Sequence, residues 1–487
     1  MFKKKKTEKL IFEKSIPNRR GFTFSSPDNI KIALDSKFLR ESEPKLPELS
    51  EFDVVRHFTR LSQLNFSLDT NFYPLGSCTM KYNPKITEKI ASLSGFTDLH
   101  PMLLHVPNSK NYYQGALEVV YELEDALCQI TGMNACSLQP MAGAHGELAG
   151  VMIIAAYHKA KNNQKKYVII PDSAHGTNPA SAAMVGYEII TIPSLANGEI
   201  DFEILKGKLT SEVAAIMLTC PNTLGIFETK INEIAALAHK EDALLYYDGA
   251  NLNAILGKVR PGDLGFDIIH INLHKTFATP HGTGGPGAGP IGVKEKLTQF
   301  LPGIKVIKNQ DNTFDLDTKS EESIGILAPF FGNFLVLLKA LVYIKLLGKE
   351  GLTAVSEIAV LNANYLLAKL KSYFKISYEN KILHEVVFSA EDQAKQGVRA
   401  LDIAKALIDK GIHPCTIYFP LIVKEALMIE PTETESKETL DEFILILEEI
   451  LKEANENPGV FINYPETTLV SRLDETKAAR DLVVQAN

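Results

Sequence analysis

Through the middle of this chain, short apolar runs alternate with stretches whose apolar residues return at helical spacing. YVIIP (167–171), the run from Tyr187 to Pro193, VAAIMLT (213–219) and ALLYY (243–247) are almost continuously apolar, as is the run from Asp267 to Ile271. Such runs read as strands buried on both faces. Gln114 to Ile130 places Leu117, Val120, Tyr121, Leu127 and Ile130 along one helical face and is stopped by Gly132. Further helices are expected from Glu147 to about Lys161, just beyond Asn178-Pro179, over Asp201–Leu209 and over Lys230–Lys240. This alternation predicts an α/β fold with a mostly parallel sheet and helices on both of its faces.

The pattern changes near residue 330. Helices are expected over Asn333–Leu347 and Leu352–Phe374, then short strands at Ile376–Tyr378 and His384–Ser389. A helix over Ala400–Lys410, a strand at Thr416–Phe419 and an amphipathic helix over Ser436–Glu456 complete a smaller α/β unit. Three segments follow from this reading. Residues 1–90 form an arm and loop, irregular over the first 70 or so, residues 91–330 a large domain, and residues 331–487 a small C-terminal domain with a charged tail.

Sheets of the parallel kind bind ligands beyond the carboxyl ends of their strands. Three polar residues fall there: Asn222 after the third run, Asp248 after the fourth and Lys275 after the fifth. Lys275 runs into a glycine-rich stretch, with Gly282, Gly284, Gly285, Gly287, Gly289 and Gly292 close together. Glycines let backbone wrap closely around the lysine or something joined to it. The stretch contains G-x-G-x-x-G twice, but Pro286 and Pro290 interrupt it, so it does not open a helix as a dinucleotide site requires. Upstream, Gln139 to Glu147 places small residues and His145 at the entrance of a helix, whose first N–H groups suit a phosphate.

Composition narrows the classes. The chain has 487 residues and a net charge of −8, so it carries no nucleic-acid footprint. Five scattered cysteines with no C-x-x-C pair point to reduced thiols in the cytoplasm and away from a zinc site. The start, MFKKKK, is basic without an apolar segment behind it, and the apolar stretch Phe330–Leu347 is broken by Asn333, Lys339 and Lys345. Neither a secretory signal nor a membrane span is expected.

Lysine forms Schiff bases with carbonyl groups, a carboxylate keeps a pyridine nitrogen protonated, and a phosphate needs N–H donors. In this order on alternating strands and helices, Lys275, Asp248 and the helix entrance at His145 are the parts a pyridoxal-phosphate site needs. Each alone has a plain explanation: Asp248 as a helix cap, Lys275 as a solvated amine, Asn222 as a turn former.

The chain also resembles a known family, over about Leu10 to Ala479. The matching segments are FYPLGSCTMKYNP (72–84), QPMAGAHGEL (139–148), DSAHGTNPASA (172–182), NLHKTF (272–277) and IHPCTIYFPLIVKEALMIEPTETESKETLDEF (412–443). They resemble the glycine decarboxylases, the P-proteins of the glycine cleavage system, and specifically subunit 2 of the two-subunit bacterial form. It departs from that pattern at Leu103–Tyr112, Ile326 and Asn463–Pro465. The resemblance implies fold type I of the pyridoxal-phosphate enzymes, with a seven-stranded type of large-domain sheet. It implies Lys275 as the cofactor lysine, and glycine as substrate with its aminomethyl group passed to the lipoyl group of the H-protein. It further implies a sister subunit 1, with two copies of each chain.

On this reading Asp248 pairs with the pyridine nitrogen, His145 stacks on the ring and Asn222 bonds its phenolic oxygen. Ala144, Gly146 and His274 lie near the phosphate and Thr177 meets ring or substrate, while His384 is read first as a plain strand-end histidine, with reach into the site from the second domain as the alternative. The alternative is another enzyme of the same fold. A desulfurase needs a mobile catalytic cysteine loop, and an aminotransferase needs a carboxylate-binding arginine, of which there is none between Arg60 and Arg260. A non-enzymatic scaffold would not need the Asp248–Lys275 pair.

Overall fold

A computed structural model describes residues 7–21, 34–42, 44–282, 287–318, 321–329 and 332–484. The basic start and Gly284, Gly285 and Pro286 of the glycine-rich stretch lie outside these described residues.

Seven strands build the main sheet: β1 (Ala135–Ser137), β2 (Tyr167–Pro171), β3 (Glu188–Ile192), β4 (Val213–Thr219), β5 (Leu244–Gly249), β6 (Ile268–Ile271) and β7 (Ile291–Val293). Their order is β1-β7-β6-β5-β4-β2-β3. From β3 to β6 every neighbouring pair is parallel, and β7 runs antiparallel to β6 and β1. Alternation along the central strands feeds two cores. Ile216, Leu245 and Tyr247 point to one, which includes Leu123 and Leu127 of helix Gln114–Thr131 and Ile234 of helix Ile231–Lys240. Met217, Leu244 and Tyr246 point to the other, with Ile153 and Ile154 of helix Gly143–Ala160. Burial on both faces explains why these strands read as unbroken apolar runs.

A hairpin, β8 (Lys305–Lys308) with β9 (Phe314–Asp317), packs Val306 and Phe314 onto the first core. The second domain holds an antiparallel sheet of β10 (Val386–Ser389), β11 (Thr416–Ile417) and β12 (Ala426–Ile429), ordered β10-β12-β11. Helices Ala400–Asp409 and Lys437–Glu456 cover it through Ile403, Leu407, Phe443, Leu447 and Ile450. The long helical run Phe334–Leu370 is broken at Gly348, which adopts φ 61°. Its first part, with Leu337 and Leu341, belongs to the large-domain core, and its last turns, with Leu366 and Leu370, to the second. The two cores therefore divide within this helical run and not ahead of it.

Several local expectations are corrected. No strand forms at Ile376–Tyr378, where only Lys375 makes an isolated bridge to Ser389. The central strand of the second sheet, β12, lies in a segment where no element is expected; its four apolar residues are too short a run to signal a strand by periodicity. The arm carries a helix, Glu51–Ser62, capped reciprocally by Ser50 and Asp53. That capping box was legible in the sequence.

The loop Tyr73–Tyr82 joins the domains. Leu75 bridges to Ile429 of β12, and Asn83 donates to the Ala278 carbonyl, 2.8 Å away and just past Lys275. This loop is thus a wall of the site.

Candidate active site

Parallel register fixes what surrounds Asp248. Thr219 of β4 and His270 of β6 are its partners across the sheet. Asp248 is buried, its Oδ2 accepts from Asn178 Nδ2 at 3.1 Å and from Thr219 Oγ1 at 3.4 Å, and its Oδ1 accepts from the Ala250 N–H at 3.2 Å. His270 Nε2 stands 3.4 Å from Oδ1, while its Nδ1 meets the Tyr246 hydroxyl at 2.6 Å. Burial pushes the Asp248 carboxyl up, but His270, His175, Lys275 and the Ala250 N–H outweigh it and hold the group below its ordinary value. Glu147 lies 3.6 Å from His270 Nε2 and is pushed the other way, by burial and then by repulsion from Asp248. One carboxyl of this cluster is ionised and the other keeps its proton.

Lys275 follows β6 in a tight turn, with its N–H donated to the Asn272 carbonyl. Among the described residues no hydrogen bond or ion pair is formed by its Nζ within the chain. Its neighbours are neutral imidazoles. Burial, then His281 and Lys275, lower His274 to about 3, and burial with Lys275 lowers His281 to about 4. The two rings meet edge to face, 4.9 Å apart.

The helix Gly143–Ala160 starts without a capping side chain. Its entrance is pressed against the glycine-rich stretch: a Cβ on Gly146 would lie 2.5 Å from the Gly289 carbonyl, and one on Gly289 would lie 2.1 Å from the Ala142 carbonyl. Gly146 is therefore required for this close approach. Ala144 is exposed on the same turn, and His145 is half-buried with Nδ1 accepting from the Met141 N–H at 3.3 Å.

The second domain closes the site with Glu385 and Glu430. Ser77 and Thr79 flank Cys78 at φ 65° and 54°, a backbone region costly for residues with a side chain. The Ser77 N–H donates to Glu385 Oε2 at 3.1 Å and the Thr79 N–H to Glu430 Oε2 at 2.9 Å, which holds the loop in this conformation. Glu430 also accepts from Thr79 Oγ1 and Asn251 Nδ2, both at 2.8 Å. Burial and the nearby Glu430 push the Glu385 carboxyl well up.

Of the expected residues, Asp248 stands against His270 and feels the charge of Lys275, Gly146 packs on Gly289 and His270, and His274 meets His281 beside the lysine turn. His145 and Ala144 share the first turn of the helix that carries Gly146, and Thr177 opens the helix Thr177–Val185 near Glu147. Asn222 is otherwise engaged. Its Nδ2 donates to the Gly198 carbonyl at 2.7 Å, and its Oδ1 accepts from the Leu224 and Ile226 N–H groups at 3.0 and 3.2 Å. These bonds close a turn, the plainer of the two readings for this residue. Glu147, Asn178, His270, Thr79, Glu385 and Glu430 were not singled out from sequence, because only tertiary packing brings them together. Asn178 had a local signal in its place beside Thr177.

The profile of the glycine cleavage system P-protein family matches residues 21–316, and that of the glycine dehydrogenase C-terminal domain matches residues 355–467. The chain belongs to the glycine cleavage system P-protein family. It is 55% identical over 486 residues to the probable glycine dehydrogenase (decarboxylating) subunit 2 of Caldanaerobacter subterraneus subsp. tengcongensis, covering 99% of each chain. The protein of that name from Staphylococcus haemolyticus is 52% identical over 485 residues, with 99% of this chain and 97% of that one covered. In fold, the chain is similar to a crystal structure of glycine decarboxylase (P-protein) of the glycine cleavage system in inhibitor-bound form. There the TM-score is 0.68 at 20% identity, over 86% of this chain and 92% of that one. A cysteine desulfurase from Thermococcus onnurineus NA1 shares the fold at TM-score 0.58 and 15% identity, covering 79% and 97%. The Caldanaerobacter and Staphylococcus relatives are each named as a subunit 2.

P-proteins use pyridoxal phosphate, and the residues here fit that group. Asp248 is a buried carboxylate ready to face a ring nitrogen, and the helix entrance offers uncapped N–H groups. Asn272 Oδ1, Thr279 Oγ1 and His281 Nε2 are buried around the lysine turn with no partner among the described residues. Unpaired buried polar atoms in such numbers mark a place where a polar ligand belongs.

Proposed function

We propose that this chain carries the decarboxylating site of a two-subunit P-protein, with Lys275 as the cofactor's anchor, and passes the aminomethyl group of glycine to the lipoyl group of the H-protein. The observation that carries this reading is the pairing of an ionised, buried Asp248 at the end of β5 with Lys275 beyond the adjacent β6, beneath an uncapped helix. Pyridoxal phosphate, when bound, supplies the electron sink that makes loss of CO2 from glycine possible. Lys275 would supply the amine that holds the cofactor, in the place that the amine of glycine must take. Asp248, kept ionised by its donors, would face the ring nitrogen and favour its protonated form. Glu147 and His270, both neutral, leave the negative charge of the cluster on Asp248.

His145 would cover one face of the ring, and the N–H groups at Gly143, Ala144 and His145, with His274, would receive the phosphate. The walls formed by the Tyr73–Tyr82 loop and the second domain exclude water, so the charge that develops stays in a medium of low dielectric. We place the enzyme in the cytoplasm as two copies of each subunit; none of the described helices is long and apolar enough to cross a membrane.

The test is an absorbance spectrum of the chain with pyridoxal phosphate and its sister subunit, before and after borohydride. A visible band that reduction fixes onto the peptide carrying Lys275, followed by glycine–bicarbonate exchange dependent on H-protein, is the expected result. A label on a different lysine, or no band with both subunits present, sinks the assignment.

A further inference from the structure

Glycine is the smallest amino acid, so its carboxylate is the one handle beyond the amine that a site can read. The chain has nine arginines, all among the described residues, and none is buried. Arg472, the least exposed, is held by Asp402 and by two backbone carbonyls of the second domain. The chain therefore offers the site no buried guanidinium.

His384 is placed to take over. It sits just before β10, and the neighbouring Leu383 N–H donates to the Gly225 carbonyl at 2.7 Å, which pins this segment to the loop after β4. His384 is buried to 3% exposure, and its Nδ1 has no hydrogen-bond partner among the described residues. Its Nε2 is 4.0 Å from Glu385 Oε1, and a ring nitrogen and one oxygen each of Glu385 and Glu430 lie within 4.8 Å of one another. Lys275 is near enough for its charge to act on the ring; burial, with that charge, keeps the imidazole neutral against the pull of Glu430.

An unpaired, buried nitrogen in a native site is costly unless a ligand meets it. We propose that His384 Nδ1–H reads the glycine carboxylate, as a neutral donor standing where related chemistry would use a cation. This inference rests on the glycine-decarboxylating reading above and names its substrate-carboxylate subsite. The physical reason for a neutral reader is that the carboxylate must give up its charge on leaving as CO2. A guanidinium would stabilise that anion before reaction more than during it and so raise the barrier. Glu430, fixed by its three donors, stands beside the imidazole and offers the substrate carboxylate no cation. The pocket then orients the carboxylate without stabilising its charge.

The experiment titrates glycine, and separately methylamine, which lacks the carboxylate, into the assembled holoenzyme and follows the cofactor's absorbance change. His384→Ala is expected to weaken glycine by about 10- to 100-fold, the worth of one hydrogen bond to a charged group, with methylamine affinity held within about twofold. His384→Asn, which keeps a donor, should recover part of the glycine affinity. Should neither variant bind cofactor, unfolding is separated from subsite loss by His384→Gln, a donor of closer length. Equal losses for glycine and methylamine, or unchanged glycine affinity in His384→Ala, overturn the proposal. If wild type shows no change with glycine, it is the reaction assignment that has failed and not the subsite.

Discussion

Asn178 Nδ2 lies 3.1 Å from Asp248 Oδ2, and both side chains are sealed from solvent. A donor aimed at a buried carboxylate favours its ionised form, so Asn178 acts on the reaction through Asp248. Asn178→Leu should lower glycine decarboxylation by about 10-fold, the worth of a single hydrogen bond to an anion. With one donor gone the Asp248 carboxyl binds its proton more readily, so the acid limb of the rate profile should move to higher pH. An acid limb that stays in place while activity falls would show that Asn178 serves packing alone.

Lys275→Ala should abolish the visible cofactor band and lower turnover by roughly three orders of magnitude or more, since no other amine forms the link. Circular dichroism and the unfolding midpoint of the cofactor-free protein should be close to wild type, because Lys275 Nζ makes no hydrogen bond within the described chain. A variant that retains the band removes the lysine from its assigned role.

Lys81 is 1% exposed and donates to Glu433 at 2.8 Å, Asn253 at 2.9 Å and Tyr343 at 3.2 Å, joining the loop, the large domain, the long helix and the second domain. Removing one partner of a buried pair strands the other charge, so Lys81→Met should cost about 3–5 kcal/mol in denaturant unfolding. Lys81→Met combined with Glu433→Leu should recover part of that loss. A cost below about 1 kcal/mol for the single variant would mean that the pair is not sealed in solution.

Asn222→Ala separates the turn from the cofactor. Loss of the bonds to Gly198, Leu224 and Ile226 should cost about 1–3 kcal/mol of stability. The cofactor absorbance maximum should not move. A shifted maximum would restore Asn222 as a partner of the phenolic oxygen.

His270 gives a pH dependence of stability with a definite sign. Burial lowers its imidazole from 6.5 to about 4, so the unfolded chain takes up a proton at a pH where the folded one does not. Protons therefore favour unfolding: stability is intact above the unfolded value and falls as pH drops from there toward about 4. By pH 5 the loss from this group should be roughly 2 kcal/mol. His270→Gln should flatten that slope in unfolding measured between pH 7 and pH 5. An equal slope in the variant would assign the effect to other groups.

The amino-acid sequence by itself determined the architecture of the large domain. Central strands buried on both faces cannot alternate polar and apolar positions, so YVIIP, VAAIMLT and ALLYY announced a covered parallel sheet. Once that sheet was inferred, Asp248 and Lys275 at strand ends followed from topology, since ligands lie beyond those ends. Only the tertiary structure decided which other groups stand around them. Thr219 and His270 gather at Asp248 through strand register and Asn178 from the helix Thr177–Val185, while Glu385 and Glu430 arrive from the ends of β10 and β12, far along the chain. Asn222 shows the limit most plainly. Its position at a strand end was legible, yet whether its amide turned toward a ligand or toward Gly198 depended on backbone groups that only folding brings within hydrogen-bond reach.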